Sequence, residues 1–300
     1  ENNVLIGHAA GDAGTTINNS VAIGKGAMGA VPSGQAVENA VAIGVGALAG
    51  SASTTDGING TTAIGFNAGN DLTTGSGNTL VGYMSGDELL TGDNNTCLGR
   101  HSLNNADGDE DDNTCVGYLS GTTIDNGNNN TLLGSQTDVS TAAATGQIAI
   151  GKGVACTGDN IVTIGIAANT ASLGLDGSDT SWAAASSDER LKENIESSSA
   201  GLDVINDLRP VTYNWKKAKD VQKDLPQYKN SDEPVLGTEY GERLHGFIAQ
   251  EVKKVIDSHD ELEDGFKMWK LKDDGTQTVA DGNLVPILVK AVQELSAEVK

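Results

Sequence analysis

A glycine that closes a short apolar strand returns through the first half of the chain. It stands at Gly7, Gly24, Gly44, Gly65, Gly82, Gly99, Gly117, Gly134, Gly151 and Gly165, at intervals of 17, 20, 21, 17, 17, 18, 17, 17 and 14 residues. Directly before each stands an aliphatic residue: Ile6, Ile23, Ile43, Ile64, Val81, Leu98, Val116, Leu133, Ile150 and Ile164. Three before it the residue is always β-branched, as in Val4, Val21, Thr62, Thr96 and Ile148. These two columns share one face of a strand, because side chains alternate with period two and β-branched residues suit a pleated surface. Three residues after the glycine the side chain is small (Ala10, Ala27, Ala47, Ala68, Ser85, Ser102, Ser120, Thr137, Ala168), with Val154 the largest. That spacing lets backbone or a neighbouring chain come close. The glycine itself fits the turn, where a positive φ costs little only for glycine. A rung of 17 residues cannot bury its own apolar stripe, whereas a stack of rungs can. The pattern predicts a mainly β chain: a β-solenoid or β-roll of about ten short rungs over residues 1–168.

Charge divides the chain at the point where the repeat stops. Residues 1–186 hold three basic and eighteen acidic side chains, and residues 187–300 hold sixteen and twenty-three. Both halves are acidic, which repels nucleic acid and anionic membranes, so neither is expected as a partner. No apolar run is long enough to span a bilayer, and no secretory signal pattern stands at Glu1. Three cysteines do not make a disulfide framework. Cys97 and Cys115 share one repeat position, two before the glycine, and read as small apolar fillers in neighbouring rungs, like Ala22, Ala42 and Leu80. No metal site or cofactor is expected, since no further Cys or His stands at ligand spacing. The run Asp107-Gly108-Asp109-Glu110-Asp111-Asp112 lacks the twelve-residue calcium-loop pattern and reads as a solvated acidic loop. His8 and His101 read as neutral surface histidines.

Repeat phase is lost over residues 169–186, which read as a connector with Trp182 as an anchor or packing residue. From Ser187 onward the chain has an ordinary globular composition and reads as a small α+β domain. Ser187 precedes Lys192 by five residues. A serine hydroxyl becomes nucleophilic when a neighbouring base takes its proton, and a desolvated lysine is such a base. The same residues also read as a helix cap, with Ser187 at the start of a helix through Leu191 and Ile195 and Lys192 on its wet face. Spacing alone favours the cap. His245 reads either as a group that orients the pair or polarises the scissile carbonyl, or as a histidine at a strand end ahead of a helix carrying Gln250 and Glu251. Pro210, Tyr213 and Trp215 read as core and turn residues. Val285, Leu288, Val292, Leu295 and Val299 follow 3-4-3-4 spacing behind Pro286. That is a seam suited to a short trimeric coiled coil, or else one face of an amphipathic helix packed on its own domain.

Four blocks carry a resemblance. Ser187-Asp188-Glu189-Arg190-Leu191-Lys192-Glu193-Asn194-Ile195 resembles the opening of the S74 self-cleaving intramolecular chaperone domain of phage tail spikes and fibres. Leu208 to Trp215, His245 to Val252 and Leu284 to Val292 fit the same family in order. The segments Ser20-Val21-Ala22-Ile23-Gly24 and Ala40-Val41-Ala42-Ile43-Gly44 are also similar to head repeats of trimeric autotransporter adhesins and phage fibres. The resemblance implies a homotrimeric β-roll or intertwined fibre, with only Phe66, Tyr83 and Tyr118 as aromatics in the array. It implies a chaperone and autoprotease domain over residues 187–300, with Ser187 and Lys192 as dyad. The cut falls at Ser187–Asp188 by the resemblance, or at Ser186–Ser187 by attack through a five-membered ring. It further implies a virion tail protein made in the host cytoplasm. The other functional class is an adhesin that binds a host surface receptor or glycan, its C-terminal domain acting only to trimerise.

Overall fold

The structure is a computed structural model that describes residues 2–12, 16–30, 36–50, 57–175, 183–184, 189–236, 241, 243–262 and 266–299. It divides into two compact units, residues 1–191 and 192–300.

The first unit is a β-solenoid. Strands Val4–Ile6, Val21–Ile23, Val41–Ile43, Thr62–Ile64, Thr79–Val81, Thr96–Leu98, Thr114–Val116, Thr131–Leu133, Ile148–Lys152 and Ile161–Ile166 pair in parallel, each with the equivalent strand of the next rung. Register follows the glycine phase without a slip: Val21 pairs with Val41, Ile64 with Val81, and Cys97 with Cys115. A short second ladder, Thr16–Asn18 with Ala36–Glu38, links two early rungs. The sheet runs past residue 168. Asn169–Gly174 pairs antiparallel with Ile161–Ile166, and Ala183–Ala184 pairs antiparallel with it in turn. That reversal ends the parallel progression.

The glycine column has a second physical cause besides the turn. From Gly7 to Gly151 these residues hold φ between +133° and +148°. A Cβ on Gly44 would meet the carbonyl oxygen of Gly65 at 2.1 Å, and one on Gly82 the carbonyl oxygen of Gly99 at 2.2 Å. Rung therefore stacks on rung through bare backbone, and any side chain there would separate them.

The inward face differs from the one expected. The strand-centre residues, Ala22, Ala42, Ala63, Leu80, Cys97, Cys115, Leu132 and Ala149, are fully buried. The columns one and three before the glycine face outward instead, and Ile6, Leu98 and Leu133 are about half exposed. Because all three strand residues are apolar or β-branched, alternation does not reveal which set points inward. The residues three after the glycine, from Ala27 to Val154, lie inside the chain's own core, whereas Ala168 in the last rung is exposed. Core volume is traded between positions. Met28 and Leu48 fill rungs whose strand centre is Ala22 or Ala42, whereas Gly86 makes room for Leu80.

A buried amide ladder runs beside this core. Asn78, Asn95, Asn113, Asn130 and Gln147, four residues before successive glycines, are all fully buried. The backbone N–H of each donates to the side-chain oxygen of the one before, at 2.8 to 3.0 Å. The asparagine Nδ2 groups donate to the carbonyls of Gly92, Glu110, Gly127 and Ala144. The partners of this column are thus supplied by neighbouring rungs, which makes a one-residue slip costly.

The acidic loop is not fully solvated. Glu110 occupies the position held by Gly75, Gly92 and Gly127 in neighbouring rungs and is completely buried. One of its oxygens accepts the Gly108 N–H at 2.8 Å, and the other has no partner. Burial, reinforced by the charges of Asp125 and Asp107, pushes its carboxyl up to about 7. Asp87 is raised to about 6 by burial and by Asp71 and Glu88. Because Glu110 holds its proton more tightly in the folded state, stability is greatest below the unfolded value near 4.5 and declines as pH rises toward 7. Glu110→Gln is therefore expected to raise the thermal midpoint of the full chain at pH 8, by a free energy of about 1–3 kcal/mol, and to change little at pH 4.5. An equal effect at both pH values in calorimetry would contradict this.

The second unit is a small α+β domain. Helix α1 (Leu202–Asp207), helix α2 (Ala249–Ser258) and helix α3 (Val285–Glu298) surround two short antiparallel hairpins. The hairpins are Val211–Tyr213 with Leu244–Gly246, and Trp269–Leu271 with Gln277–Val279. Val204 of α1 packs with Leu262 and with Ile287 of α3, while Val252 of α2 packs with Met268 and Leu284.

Candidate functional site

Ser186, Ser187 and Asp188 lie outside the described residues. Lys192 follows a single 3-10 turn, Glu189–Leu191, and is exposed. Residues 192–200 form no helix, so the helix expected to run through Leu191 and Ile195 is not formed.

His245 sits in the middle of strand Leu244–Gly246, opposite Thr212, and helix α2 with Gln250 and Glu251 follows. It lines an open depression with Pro210, Val211, Thr212, Gly246 and Phe247. Arg243, two residues earlier and so on the same face, donates from Nε and Nη2 to Thr212 Oγ1 at 3.1 and 3.0 Å. An imidazole, a hydroxyl and a guanidinium thus share one exposed face. Such a set can hold a carboxylate or polarise a carbonyl. Next to Pro210, the guanidinium of Arg209 grips Glu251 of α2 with both Nε and Nη2. That pair holds the Glu251 carboxyl below its ordinary range and raises Arg209, through the shared hydrogen bonds first and charge second. Tyr213 and Trp215 meet edge to face at 5.4 Å, in keeping with packing roles.

Helix α3 shows two faces. Ile287 and Ala291 are buried against the rest of the domain, and Glu294 reaches Leu202, accepting its N–H at 2.8 Å. Val285, Leu288, Val292, Leu295 and Val299 are all exposed. The helix thus packs on its own domain by the face of Ile287 and Ala291, not by the 3-4-3-4 seam, which is exposed.

Among the described residues no cluster of His, Cys, Asp or Glu could hold a metal ion, and no helix is long and apolar enough to cross a membrane. Cys97 and Cys115 are buried free thiols, with Cys97 pushed up to about 12 by burial, as suits core fillers. His101 is partly buried, edge-on to Tyr83, and is lowered by burial and by Arg100.

Residues 187–261 match the Peptidase_S74 family model, the chaperone of endosialidase. With the β-solenoid ahead of it, this S74 domain fits a tail-spike protein with a C-terminal chaperone. The family supports a trimerisation and chaperone role and suggests self-cleaving peptidase activity. The match begins at Ser187, includes Lys192 and His245, and ends before α3. No curated protein and no solved structure matches the chain.

Sequence reasoning missed His259. Its Nε2 lies 2.9 Å from Asp207 of α1, and its Nδ1 lies 3.0 Å from Glu261. These partners, Asp207 foremost, raise its affinity for a proton. A raised histidine contributes stability that is fully present below about 6.5 and is lost as pH rises through the folded value. His259→Ala is expected to destabilise the S74 domain at pH 5.5 by up to ~1 kcal/mol, the scale of exposed pairs, and less at pH 8.5. Urea midpoints at the two pH values check this, and a larger loss at pH 8.5 would refute it.

Proposed function

We propose that this chain is a segment of a phage tail spike or fibre whose C-terminal domain aligns three copies and then cuts itself away beside Ser187. The observation that carries the reading is the S74 match, which begins at Ser187, directly behind a solenoid of near-identical rungs. Near-identical rungs pair almost equally well when shifted by one, so copies need an external device to set their register. A domain that trimerises first supplies it, by raising local concentration in a fixed alignment. The exposed seam of α3 is the surface suited to that first association, as three helices packed along Val285, Leu288, Val292, Leu295 and Val299.

Cleavage follows with Ser187 as nucleophile or scissile residue and Lys192 as base. For Lys192 to serve, it must lose water and with it the preference for charge, and association of three chains provides that desolvation. His245, with Arg243 and Thr212 on one face, is suited to stabilise charge on the scissile carbonyl. The released fibre then stays assembled for kinetic reasons, since the domain that set its register is gone.

The full chain is expected to yield two fragments meeting at Ser187 on a denaturing gel. Ser187→Ala, Lys192→Ala and Lys192→Arg should each leave a single full-length band, because arginine keeps its proton. Cleavage persisting in Ser187→Ala would overturn the assignment. Leu288→Asp with Leu295→Asp should slow cleavage as the protein is diluted, and full-speed cleavage in a monomeric population would refute the coupling to assembly.

A further inference from the structure

The solenoid carries a long face that its own core does not use. It is formed by the columns three and one before each glycine and continues into the residue directly after it. Three independent features single this face out. It is apolar, with Leu98, Leu133, Phe66 and Tyr83 each more than two-fifths exposed. It is free of acid: within three residues of any of the ten glycines no Asp or Glu occurs, although the array holds sixteen. Finally, it holds every cation of the array, for Lys25, Arg100 and Lys152 each directly follow a repeat glycine.

We propose that this face is the one by which the solenoid packs against further copies of the same chain. The inference rests on the trimeric reading given above and names the surface that reading requires. Charge decides where strongly acidic copies can meet. Arrays with sixteen acids and three bases repel one another wherever loops face loops, and only an acid-free face escapes this. The basic residues at its edge then meet the acid-rich remainder of a neighbouring copy, which gives the contact complementary sign.

Size agrees. Ten strands about 4.8 Å apart, with about five residues across at roughly 3.3 Å each, give a face on the order of 800 Å². That is close to the ~800 Å² per partner of a standard interface and larger than most exposed apolar patches on monomers.

The aromatic rings argue against a sugar as the occupant. Phe66 stacks on Tyr83 at 5.2 Å and 15°, and the Arg100 guanidinium lies 5.5 Å from the Tyr83 ring and 5.6 Å from that of Tyr118. The stack and the cation thus engage the ring faces, whereas a sugar platform offers its faces to the ligand.

The test places one cysteine in the full-length chain, either Leu133→Cys on the face or Glu88→Cys in an exposed acidic loop away from it. Both are treated with a short bismaleimide, and light scattering is run on the same samples. A cross-linked dimer band from Leu133→Cys, and its absence from Glu88→Cys, are expected. If scattering reports three copies but Leu133→Cys does not cross-link, or Glu88→Cys does so equally, the face is wrong while the trimeric reading stands. If scattering reports a monomer, both fall. As a check independent of thiol reactivity, Leu98→Asp with Leu133→Asp should loosen the assembled solenoid, read as a lower unfolding midpoint than that of the unaltered chain. An unchanged midpoint in a trimer would equally overturn the proposal.

Discussion

Direct contact between backbone and backbone at the glycine column sets everything else in the solenoid. With the carbonyl of each repeat glycine pressed where the preceding one's Cβ would be, rungs have a single admissible spacing and phase. Strand pairing, the inward column of Ala, Leu and Cys, and the buried amide ladder are all consequences of that phase. The interior is narrow, so it is filled by trading volume between neighbouring positions rather than by aromatic residues. The price of so regular a stack is ambiguity between copies, since one rung offers nearly the same contacts as the next.

Much of this was legible in the sequence, because spacing constrains a stack more tightly than composition does. Ten glycines in phase predict ten parallel strands, and the structure places a strand before each. The inward face was misread for a definite reason. Strands such as Val41-Ala42-Ile43 and Thr131-Leu132-Leu133 are apolar or β-branched at all three positions, so alternation carries no polarity signal. The amide ladder was missed because Asn78, Asn95, Asn113 and Asn130 lie among Gly, Asp and Asn, in stretches that read as loops. Their 17- and 18-residue spacing was the available sign. Glu110 was taken for solvent-facing because its neighbours are acidic. In fact its place, seven residues before the repeat glycine, points inward, and Ile17, Val37, Ile58 and Ala144 are buried at the same place in other rungs.

In the C-terminal domain the motif blocks carried the reading. The two faces of α3 follow from its heptad spacing, with Ile287 and Ala291 between the seam positions. His259 was not legible, since its partner Asp207 is fifty-two residues away and comes near only through the packing of α1 beside the end of α2. The proposed function joins the two regions by one physical need. A fibre of interchangeable rungs requires its register set from outside, and a domain with an uncovered helical seam is suited to set it. Cleavage beside Ser187 would make that choice permanent.

The account stands or falls on whether the chains assemble as three. Native mass spectrometry of the full-length protein at low micromolar concentration addresses this directly. The account predicts one dominant species of three copies, each of 30.7 kDa before cleavage. A dominant single copy, intact and folded, would contradict it.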